Sequence, residues 1–576
     1  FGFARAIADI EAGATPSVLN EFPWFWLDGE GKPPWGTQEV MLRWLGRNGT
    51  RDELLAFQSF LATELVEQFR RMRVDAIAPF VYLGDGLSFT AHWFLGNIRE
   101  AKPKPILAAL KNAFAPRGVS LELWDRHFFT NETRVIDACV FNDTPSPAKV
   151  RLRCRIRGDE ADLDLCSLDL NLDASSMTRV PVTWVFPPQP GSYTLRVDLE
   201  EEAGGHPLAF IEKVAHVFAQ PSVPGELRRV RVAVLDSDPE MLTYLRAVGV
   251  DAQPLSGTSL AETDVLILED VHTAMPAGLG DWLKRGGSLV VIDPSRGVAK
   301  EASLHIADDI SLSVRKRPNT GRGGYDSYVF PVDAGDPLWH GLEPEHLRIL
   351  NGGFGGIMVA DYAVFLDVPC FTRARCGLGL RHAAVVQAPF GNGKIMVSLI
   401  RQRGRLGTAQ AGRELYDPRP DPVARQYLLN LLSDAARSGP TPKELFIGRV
   451  SASSGKDGEH PPAHAVDGND RTRWASDSSD PQWLVLDLGR TQVLTGARIL
   501  WEAAYGNEYK LLVSDDATHW LTVYHEKKGD GGEDLATWNP VEARYLALVG
   551  LERGTEWGYS VWELTPQLLE PGKPTD

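Results

Sequence analysis

The stretch SVLNEFPWFW places a single acidic residue, Glu21, inside an apolar run that predicts a buried strand. Acidic side chains are almost never fully buried unless they are paired. Glu21 is therefore either a salt-bridged residue at the end of its strand or a catalytic carboxylate in a cleft. If Glu21 is catalytic, a second set of residues could line a substrate pocket around it; the alternative is that they only pack at the surface near the strand ends. These residues are Asn20, Trp24, Trp26, Tyr82 and Trp93.

A second set of candidate ligands lies near the C-terminus, in the segment DGNDRT. Asp467 and Asp470 stand three residues apart in a predicted turn, and Thr472 follows them. This spacing suits Ca²⁺, a hard cation that takes about six to eight oxygen ligands from carboxylates and carbonyls. An Asx turn without a metal is the alternative.

The composition places these residues in a multidomain protein. At roughly 100–200 residues per domain, a chain of 576 residues predicts three to five domains. The net charge of -16 disfavours nucleic acid as a partner and leaves neutral glycans or metal ions. No apolar run reaches the roughly 18 residues that a membrane span needs. Five cysteines do not indicate a disulfide scaffold; Cys139 and Cys154 either pair across strands or remain buried thiols.

Hydrophobic periodicity predicts four successive segments that position these residues. Residues 1–114 alternate helix and strand signals, including an amphipathic helix over DELLAFQSFLATELVEQFRRMRV and another over KPKPILAALKNAF. Residues 115–222 alternate apolar and polar side chains in short strands, which is typical of a β-sandwich. Residues 226–440 return to the alternation of an open, doubly wound α/β sheet. Residues 446–570 are again all-β. The predicted fold class is therefore multidomain, α/β plus all-β.

Residues 16–114 resemble the closing third of the (β/α)8 barrel of family-2-like retaining glycoside hydrolases. The resemblance is carried by VLNEF at a strand end and by HWFLGNIREAKPKPILAALKNAF before the last barrel helix. The sandwich that follows resembles the immunoglobulin-like domain that trails such barrels. Active sites in these barrels lie at the carboxyl ends of the strands. The resemblance implies a retaining β-glycosidase, β-galactosidase-like, that acts on terminal β-linked sugars.

In this resemblance, Glu21 takes the nucleophile position on strand seven, because only one further strand precedes the terminal helix. Retaining glycosidases need a second carboxyl group about 5–5.5 Å away as acid/base. Glu30, Asp28 and Asp85 do not occupy that position, so we expect the acid/base in an upstream part on the same or another chain. The sequence begins at Phe1 rather than Met, which favours such a part. The absence of a signal peptide from this sequence then says nothing about export, and we expect a secreted or periplasmic protein.

The α/β segment resembles the glutamine-amidotransferase-like domain of some β-galactosidases. DVLILEDVHTA offers no cysteine at the nucleophile turn, and GGFGG lacks the Lys-Ser/Thr of a phosphate loop. We therefore expect a catalytically silent domain that either makes a homo-oligomer contact or shapes the active-site rim.

The final segment resembles a discoidin, or factor V/VIII type C, domain as found in family-32 carbohydrate-binding modules. The matching stretches follow in order: SASSG, PAHAVDGNDRTRWAS, PQWLVLDLG, WEAAYGNEYKLLVSDDATHWLTVY, ARYLALVG and GYSVWEL. The resemblance implies a jelly-roll fold whose scaffold and loops hold Trp474 and Trp483. It also adds Glu563 to Asp467, Asp470 and Thr472 as ligands of a structural Ca²⁺. No organic cofactor is expected.

Sugar contacts in such modules come from loops at one end of the fold. The resemblance gives as candidates Arg473, Trp501, Glu502, Tyr505, Trp557 and Tyr559. WEAAYG is similar to the version in modules that bind glucan or chitosan fragments, although Trp501 could also be a core residue. The expected partner is an oligo- or polysaccharide. Two functions remain: a retaining β-glycosidase with a glycan-binding module, or a non-catalytic glycan-binding or assembly fragment whose barrel another chain completes.

Overall fold

The structure, a computed structural model, describes most of residues 17–569. It leaves out residues 23–24, 35–36, 39–40, 42–44, 46–48, 81–92, 97–100, 160, 203–204, 236–238, 308–309, 318–327, 353–357, 378–379, 408–417 and 438–448.

The N-terminal segment is a β–α–β unit followed by a helix. Its elements are β1 (Val18–Phe22), α1 (Arg51–Arg71), β2 (Ala76–Pro79), β3 (Phe94–Leu95), β4 (Lys102–Pro103) and α2 (Pro105–Ala113). Thr50 and Glu53 form a capping box that begins α1. The two predicted helices are thus confirmed. β1 and β2 pair in parallel as a two-stranded sheet. The described residues therefore do not show the predicted end of a (β/α)8 barrel, because β1 and β2 are the two strands of this sheet.

Residues 117–218 form two packed antiparallel sheets. The strands are β5 (Arg117–Leu121), β6 (His127–Phe129), β7 (Thr133–Asn142), β8 (Ala148–Gly158), β9 (Ala161–Leu172), β10 (Ser176–Val185), β11 (Gly191–Glu201) and β12 (Pro207–Phe218). One sheet has the order β10-β7-β5, and the other has the order β6-β12-β11-β8-β9, in which only the β6–β12 pair is parallel. Alternate side chains of these strands are buried between the sheets, as the period of two predicts.

Cys139 and Cys154 are both buried free thiols, which is the second of the two predicted alternatives. Cys139 lies on β7 and Cys154 lies on β8, which belong to different sheets. Cys154 instead faces Cys166 on the neighbouring strand β9. All five cysteines are free thiols.

Residues 231–436 form an α/β domain around a mixed sheet of eight strands. Its strands are β13 (Arg231–Leu235), β14 (Asp251–Pro254), β15 (Val265–Leu268), β16 (Ser288–Ile292), β19 (Phe330–Pro331), β21 (Phe371–Cys376), β22 (His382–Phe390) and β23 (Gly393–Ser398). The order is β14-β13-β15-β16-β23-β22-β21-β19, parallel as far as β23 and antiparallel beyond it. The parallel strands β15 and β16 are buried throughout, and all of their residues except Ser288 are apolar, because both faces of the sheet are covered.

Besides short 3-10 turns, the described part of the α/β domain also contains three α-helices and a small sheet. They are α3 (Pro239–Ala247), α4 (Leu279–Lys284), α5 (Pro422–Ala436), β17 (Glu301–Ala307), β18 (Ile310–Lys316) and β20 (Tyr362–Leu366). The small antiparallel sheet has the order β17-β18-β20.

The C-terminal domain is an antiparallel β-structure, as predicted. Its strands are β24 (Val450–Ala452), β25 (Trp474–Ala475), β26 (Gln482–Trp501), β27 (Gly506–Ser514), β28 (Leu521–Glu526), β29 (Glu533–Arg553) and β30 (Ser560–Leu568). They form one sheet of order β25-β30-β26-β29-β27-β28, with β24 beside β26. The long strands β26 and β29 each contain bulges, which let the sheet curve around its own core.

The C-terminal domain packs directly on the α/β domain. Trp483 is buried in this junction, where its Nε1 donates a hydrogen bond of 2.7 Å to the carbonyl of Cys370 and its ring meets Phe371 edge-on. Ion pairs flank the junction, including Lys510–Asp367 at 2.7 Å. Apolar residues of both domains form one continuous core. Trp483 therefore contributes to the contact between domains, in addition to the predicted jelly-roll scaffold.

Candidate functional site

Three loops of the C-terminal domain meet at one place and are joined by backbone hydrogen bonds. The first, residues 501–506, connects β26 to β27. Its Trp501 amide donates to the Gly532 carbonyl at 2.8 Å, which ties it to the second loop, residues 529–532. Its Tyr505 carbonyl accepts from the Gly554 amide at 2.8 Å, which ties it to the third loop, residues 553–560. We call these three segments the loop cluster.

The ring of Tyr505 is held in the loop cluster by two glycines. A Cβ atom placed on Gly554 would lie 2.2 Å from Tyr505 Cε2, and one placed on Gly531 would lie 2.9 Å from its Cδ1. Real Cβ atoms do not approach so closely, so both positions require glycine for this packing. The ring itself is half-buried. It therefore keeps a fixed orientation while part of it stays accessible.

Three further predicted residues lie on or beside the loop cluster. Trp557 is the most accessible, with 52% of its surface exposed. Glu502 is half-buried, and its backbone amide donates to the Ser560 carbonyl at 2.9 Å. Arg473 donates from Nη1 to the Ser560 hydroxyl at 3.0 Å. The structure thus brings together an exposed indole, a phenol ring, a carboxylate and a guanidinium.

This combination of side chains can bind a sugar. An aromatic face offers apolar contact area at little conformational cost, while charged groups form directional hydrogen bonds with hydroxyls or amines. The groups also differ in exposure, since Tyr505 is half-buried by packing and Trp557 is exposed.

Two of the predicted sugar-contacting residues are core residues, which corrects their assignment. Trp501 is 3% exposed, and its Nε1 donates to Asp534 Oδ2 at 2.7 Å. Tyr559 is 2% exposed, and its hydroxyl donates to Asp480 Oδ1 at 2.7 Å. A ring that is covered on both faces cannot stack on a ligand. These aromatic residues instead support the loop cluster from below.

The carboxylates that hold these rings were missed in the sequence. Asp534 also accepts the hydroxyl of Tyr509 at 2.6 Å, so one carboxylate fixes two core rings. Asp480 is buried and pairs with Arg553 Nε at 3.0 Å; burial raises the pKa of Asp480 above its ordinary range. Asp534 lies two residues after the glycine-rich stretch GDGG. No pattern in the sequence indicated the role of either residue.

The predicted calcium ligands lie in one turn and on the neighbouring strand. Asp467 Oδ2 accepts from the Thr472 hydroxyl at 2.8 Å, and its Oδ1 accepts from the Asn469 amide at 3.0 Å. Glu563 of β30 reaches this turn and accepts from the Gly468 amide at 3.1 Å. Asp470 belongs to the same turn and is exposed. The structure therefore brings Asp467, Thr472 and Glu563 together.

The donor set of this turn fits a hard cation. All of its side-chain ligands are oxygen atoms, as Ca²⁺ requires. Burial and the nearby charge of Asp467 raise the pKa of Glu563, while the Gly468 amide and the charges of Arg498 and Arg449 act in the opposite direction. A bound Ca²⁺ would be held by Asp467 and Glu563, with Asp470 and Thr472 beside them.

Glu21 and Asn20 lie exposed at the carboxyl end of β1. Glu21 has a φ of 69°, which is uncommon for a residue other than glycine, and the register with β2 shifts between Asn20 and Phe22. β-bulges of this kind frequently occur next to active sites, where they redirect a side chain. The structure therefore places Glu21 near the end of a strand, as predicted, but exposed rather than inside the buried strand that the apolar run indicated, and on a backbone that is locally strained.

The other residues predicted around Glu21 are placed only in part. Trp26 is buried, with its ring 6.2 Å from that of Phe80, so it does not offer an open face; this corrects its assignment to the substrate pocket. Trp93 is half-buried near β3. Trp24 and Tyr82 lie outside the described residues.

The α/β domain presents no reactive thiol in the described residues. Cys370 and Cys376 are both buried, and burial raises the pKa of Cys370 to about 12. A thiol with such a pKa stays protonated at neutral pH and is a poor nucleophile.

Comparison with known proteins places the C-terminal segment in a family. Residues 449–564 match the family model described as "F5/8 type C domain". The "Polysaccharide lyase 8 family protein HylA" of Enterococcus faecalis is 36% identical over 85 residues. This match covers 14% of the present chain and 6% of the length of that protein. The C-terminal segment is therefore an F5/8 type C domain, of the discoidin type.

Two solved structures from Paenibacillus sp. IK-5 are similar to the same segment. Chitosan-binding module 1 of a chitosanase/glucanase is 39% identical, with 21% of this chain and 95% of that chain covered and a TM-score of 0.20. Chitosan-binding module 2, solved in complex with chitotriose, is 36% identical, with 21% and 98% covered and a TM-score of 0.21. Within the described residues, no helix has the length and apolar character needed to cross a membrane.

Proposed function

We propose that this protein binds oligo- or polysaccharides through the loop cluster of its F5/8 type C domain. The observation that carries the proposal is the meeting of Trp557, Tyr505, Glu502 and Arg473 on loops that are fixed by backbone hydrogen bonds. Fixed loops reduce the entropy that is lost when a ligand binds. Trp557 supplies the stacking surface, and Glu502 and Arg473 supply hydrogen bonds to polar groups of the sugar.

Cationic chito-oligosaccharides are the ligands we propose to test first. The chain carries a net charge of -16, which attracts a cation from a distance. The loop cluster contains Glu502, Asp530 and Glu556 against Arg553, and Arg473 lies beside it, so the formal local charge is also negative. The chitotriose complex of the Paenibacillus module gives the choice of length.

Titration of the full chain with chitotriose and with its fully N-acetylated form tests this proposal. Both oligosaccharides offer the same rings for stacking, but only chitotriose carries ammonium groups. We expect tighter binding of chitotriose at low salt, and a difference that shrinks as ionic strength rises. Equal affinity for both oligosaccharides would show that the ammonium groups do not contribute to binding, while stacking of the sugar rings on the aromatic residues would remain in the proposal. No binding of either oligosaccharide, or of a wider glycan panel, would contradict the proposed function.

A second candidate function, retaining β-glycoside hydrolysis, is favoured by Glu21. We propose that Glu21 is the nucleophile of a β-galactosidase-like site in a secreted or periplasmic protein. Its support is the exposed carboxylate on a bulged, strained strand end. In such a reaction, Glu21 forms a bond to the anomeric carbon while an acid/base carboxyl group protonates the leaving oxygen. We expect that acid/base residue upstream, on the same or another chain.

The variant Glu21→Gln tests the catalytic candidate. It keeps the size of the side chain and removes its nucleophilic charge, so we expect hydrolysis of chromogenic β-glycosides to fall by at least about a thousandfold. Glu30→Gln is the matched control, because Glu30 is an exposed carboxylate nearby that pairs with Lys32 at 2.7 Å. Activity that survives Glu21→Gln would contradict the nucleophile assignment. Absence of turnover in the unmodified protein, with glycan binding intact, would favour the non-catalytic alternative.

A further inference from the structure

Two histidines and a glutamate meet between the first β-sandwich and the α/β domain. They are His216 on β12, and Glu345 and His346 in the 3-10 turn Pro344–Leu347. One potential ligand atom from each residue lies within 4.8 Å of the other two. Among the described residues, it is the one group of three or more His, Cys, Asp or Glu side chains whose ligand atoms all lie within that distance of one another. It lies far in sequence from both sites described above.

The cluster has an ordered surround. The rings of His216 and His346 are 4.6 Å apart between centroids, and His127 stands 6.0 Å from the first and 6.1 Å from the second. His127 Nδ1 lies 3.1 Å from Asp421 Oδ2, and Asp421 in turn accepts the Asn351 amide at 2.6 Å. Asp421 therefore fixes the ring of His127, which in turn packs beside the rings of His216 and His346.

One nitrogen of each imidazole in the cluster already has a partner. Ser192 Oγ lies 2.9 Å from His216 Nδ1, which leaves Nε2 for another ligand. The Glu343 amide donates to His346 Nδ1 at 2.9 Å, so the Nε2 of His346 carries the ring proton in this state. To bind a metal through Nε2, His346 must move that proton to Nδ1 and release the Glu343 amide. This rearrangement would open the capping box that Glu343 and His346 form at the start of the 3-10 turn.

Charged groups of both signs face the cluster. Arg126 and Arg348 face His216 and oppose an added cation, whereas Glu345 supplies a negative charge in the cluster and Asp421 a second one beyond His127.

We propose that His216, Glu345 and His346 bind a divalent transition metal ion, with Zn²⁺ as the best fit. Two imidazoles and one carboxylate are a ligand set that zinc commonly takes, with bonds of about 2.0–2.2 Å. Because Glu345 is exposed, water can reach the ion and complete four ligands. The side chains must close by roughly 1 Å or more to reach tetrahedral spacing. The ion would join the sandwich to the α/β domain, since its ligands come from both.

Zinc binding by the full chain, after removal of metals with a chelator and dialysis, tests this proposal. Calcium is kept in excess so that the oxygen ligands of the C-terminal turn do not take up zinc. The variants are His216→Gln and, as matched control, His206→Gln, which removes an exposed histidine from the same sandwich. Zinc content after gel filtration, isothermal titration and the visible spectrum of the Co²⁺-substituted protein are measured. Thermal melting of each metal-free variant verifies folding.

We expect the unmodified chain and His206→Gln to bind one Zn²⁺ more than His216→Gln, or to bind it on the order of 100-fold more tightly. Their Co²⁺ forms should show the absorption of a tetrahedral site with nitrogen and oxygen ligands, which a purely structural role of His216 would not produce. Glu345→Gln should weaken binding without changing the metal-free melting temperature. Equal zinc binding by His216→Gln and the unmodified chain, or no zinc binding by either, would overturn the proposal.

Discussion

The C-terminal domain uses tryptophan in opposite ways on two of its surfaces. At the junction with the α/β domain, Trp483 is 2% exposed and donates a hydrogen bond across the boundary. On the loop cluster, Trp557 is 52% exposed. Between them, Trp501 lies in the core and supports the loops. Burial, not residue type, therefore separates the tryptophan available to a ligand from those that stabilise the domain.

The largest expected effect on stability is at the junction. Trp483→Ala removes a buried ring and leaves the Cys370 carbonyl without its donor, so we expect the free energy of unfolding of the joined domains to fall by about 3–5 kcal/mol. Trp557→Ala is the matched control and should change it by less than about 0.5 kcal/mol. Denaturant titration measures both. Similar losses in the two variants would break the distinction between the surfaces.

A smaller effect is expected where Tyr505 is held by glycine. The Cβ of Gly554→Ala would collide with the Tyr505 ring, and such overpacking costs about 1–3 kcal/mol. Because the ring must move, we expect glycan affinity to fall by about tenfold, which corresponds to about 1.4 kcal/mol. Gly458→Ala, in the same domain and with open space around it, is the control. Unchanged affinity in Gly554→Ala would show that Tyr505 does not contact the sugar.

The junction should also make stability depend on pH through His382. Burial, together with the charges of Arg317, Arg553 and Arg381, lowers the pKa of His382 from 6.5 to about 3. The folded protein then keeps this imidazole neutral while the unfolded chain binds a proton, so the free energy of unfolding falls as pH drops below about 6.5. The slope from this group is at most about 1.4 kcal/mol per pH unit.

Comparison with His382→Asn isolates the contribution of His382. Neighbouring Asp480, whose pKa burial raises, titrates in both proteins and cancels in the difference. The variant should lose less stability between pH 7 and pH 5 than the unmodified chain. Parallel pH profiles would contradict the assignment.

The smallest expected effect is at the Asp467 turn. Removal of Ca²⁺ with EDTA should lower the melting temperature by a few degrees, since about 1 kcal/mol shifts it by about 2–4 °C in a domain of 150–250 residues. Asp467→Asn should melt equally with and without EDTA. If the unmodified protein also shows no response while added Ca²⁺ has no effect, the turn binds no calcium.

Much of the architecture could be predicted from periodicity and from short motifs. The helix Arg51–Arg71 follows its capping box and apolar stripe, and the C-terminal domain follows an ordered series of motifs. The accessibility of individual aromatic residues could not be predicted. Trp501 and Trp557 both stand in loops or strand ends rich in polar residues, and only tertiary packing decides which ring is covered. The cluster of His216, Glu345 and His346 was equally hidden, because its members come from different domains.

The most direct test of the account is the affinity of Trp557→Ala for chitotriose, or for the glycan that binds best in a panel. We predict a Kd that rises on the order of 30-fold, about 2 kcal/mol, as expected when a central aromatic contact is removed. Leu535→Ala, which removes an exposed apolar side chain from β29 in the same domain, should leave the Kd unchanged. An unchanged Kd in Trp557→Ala, with binding intact, would contradict the claim that the loop cluster is the glycan-binding site.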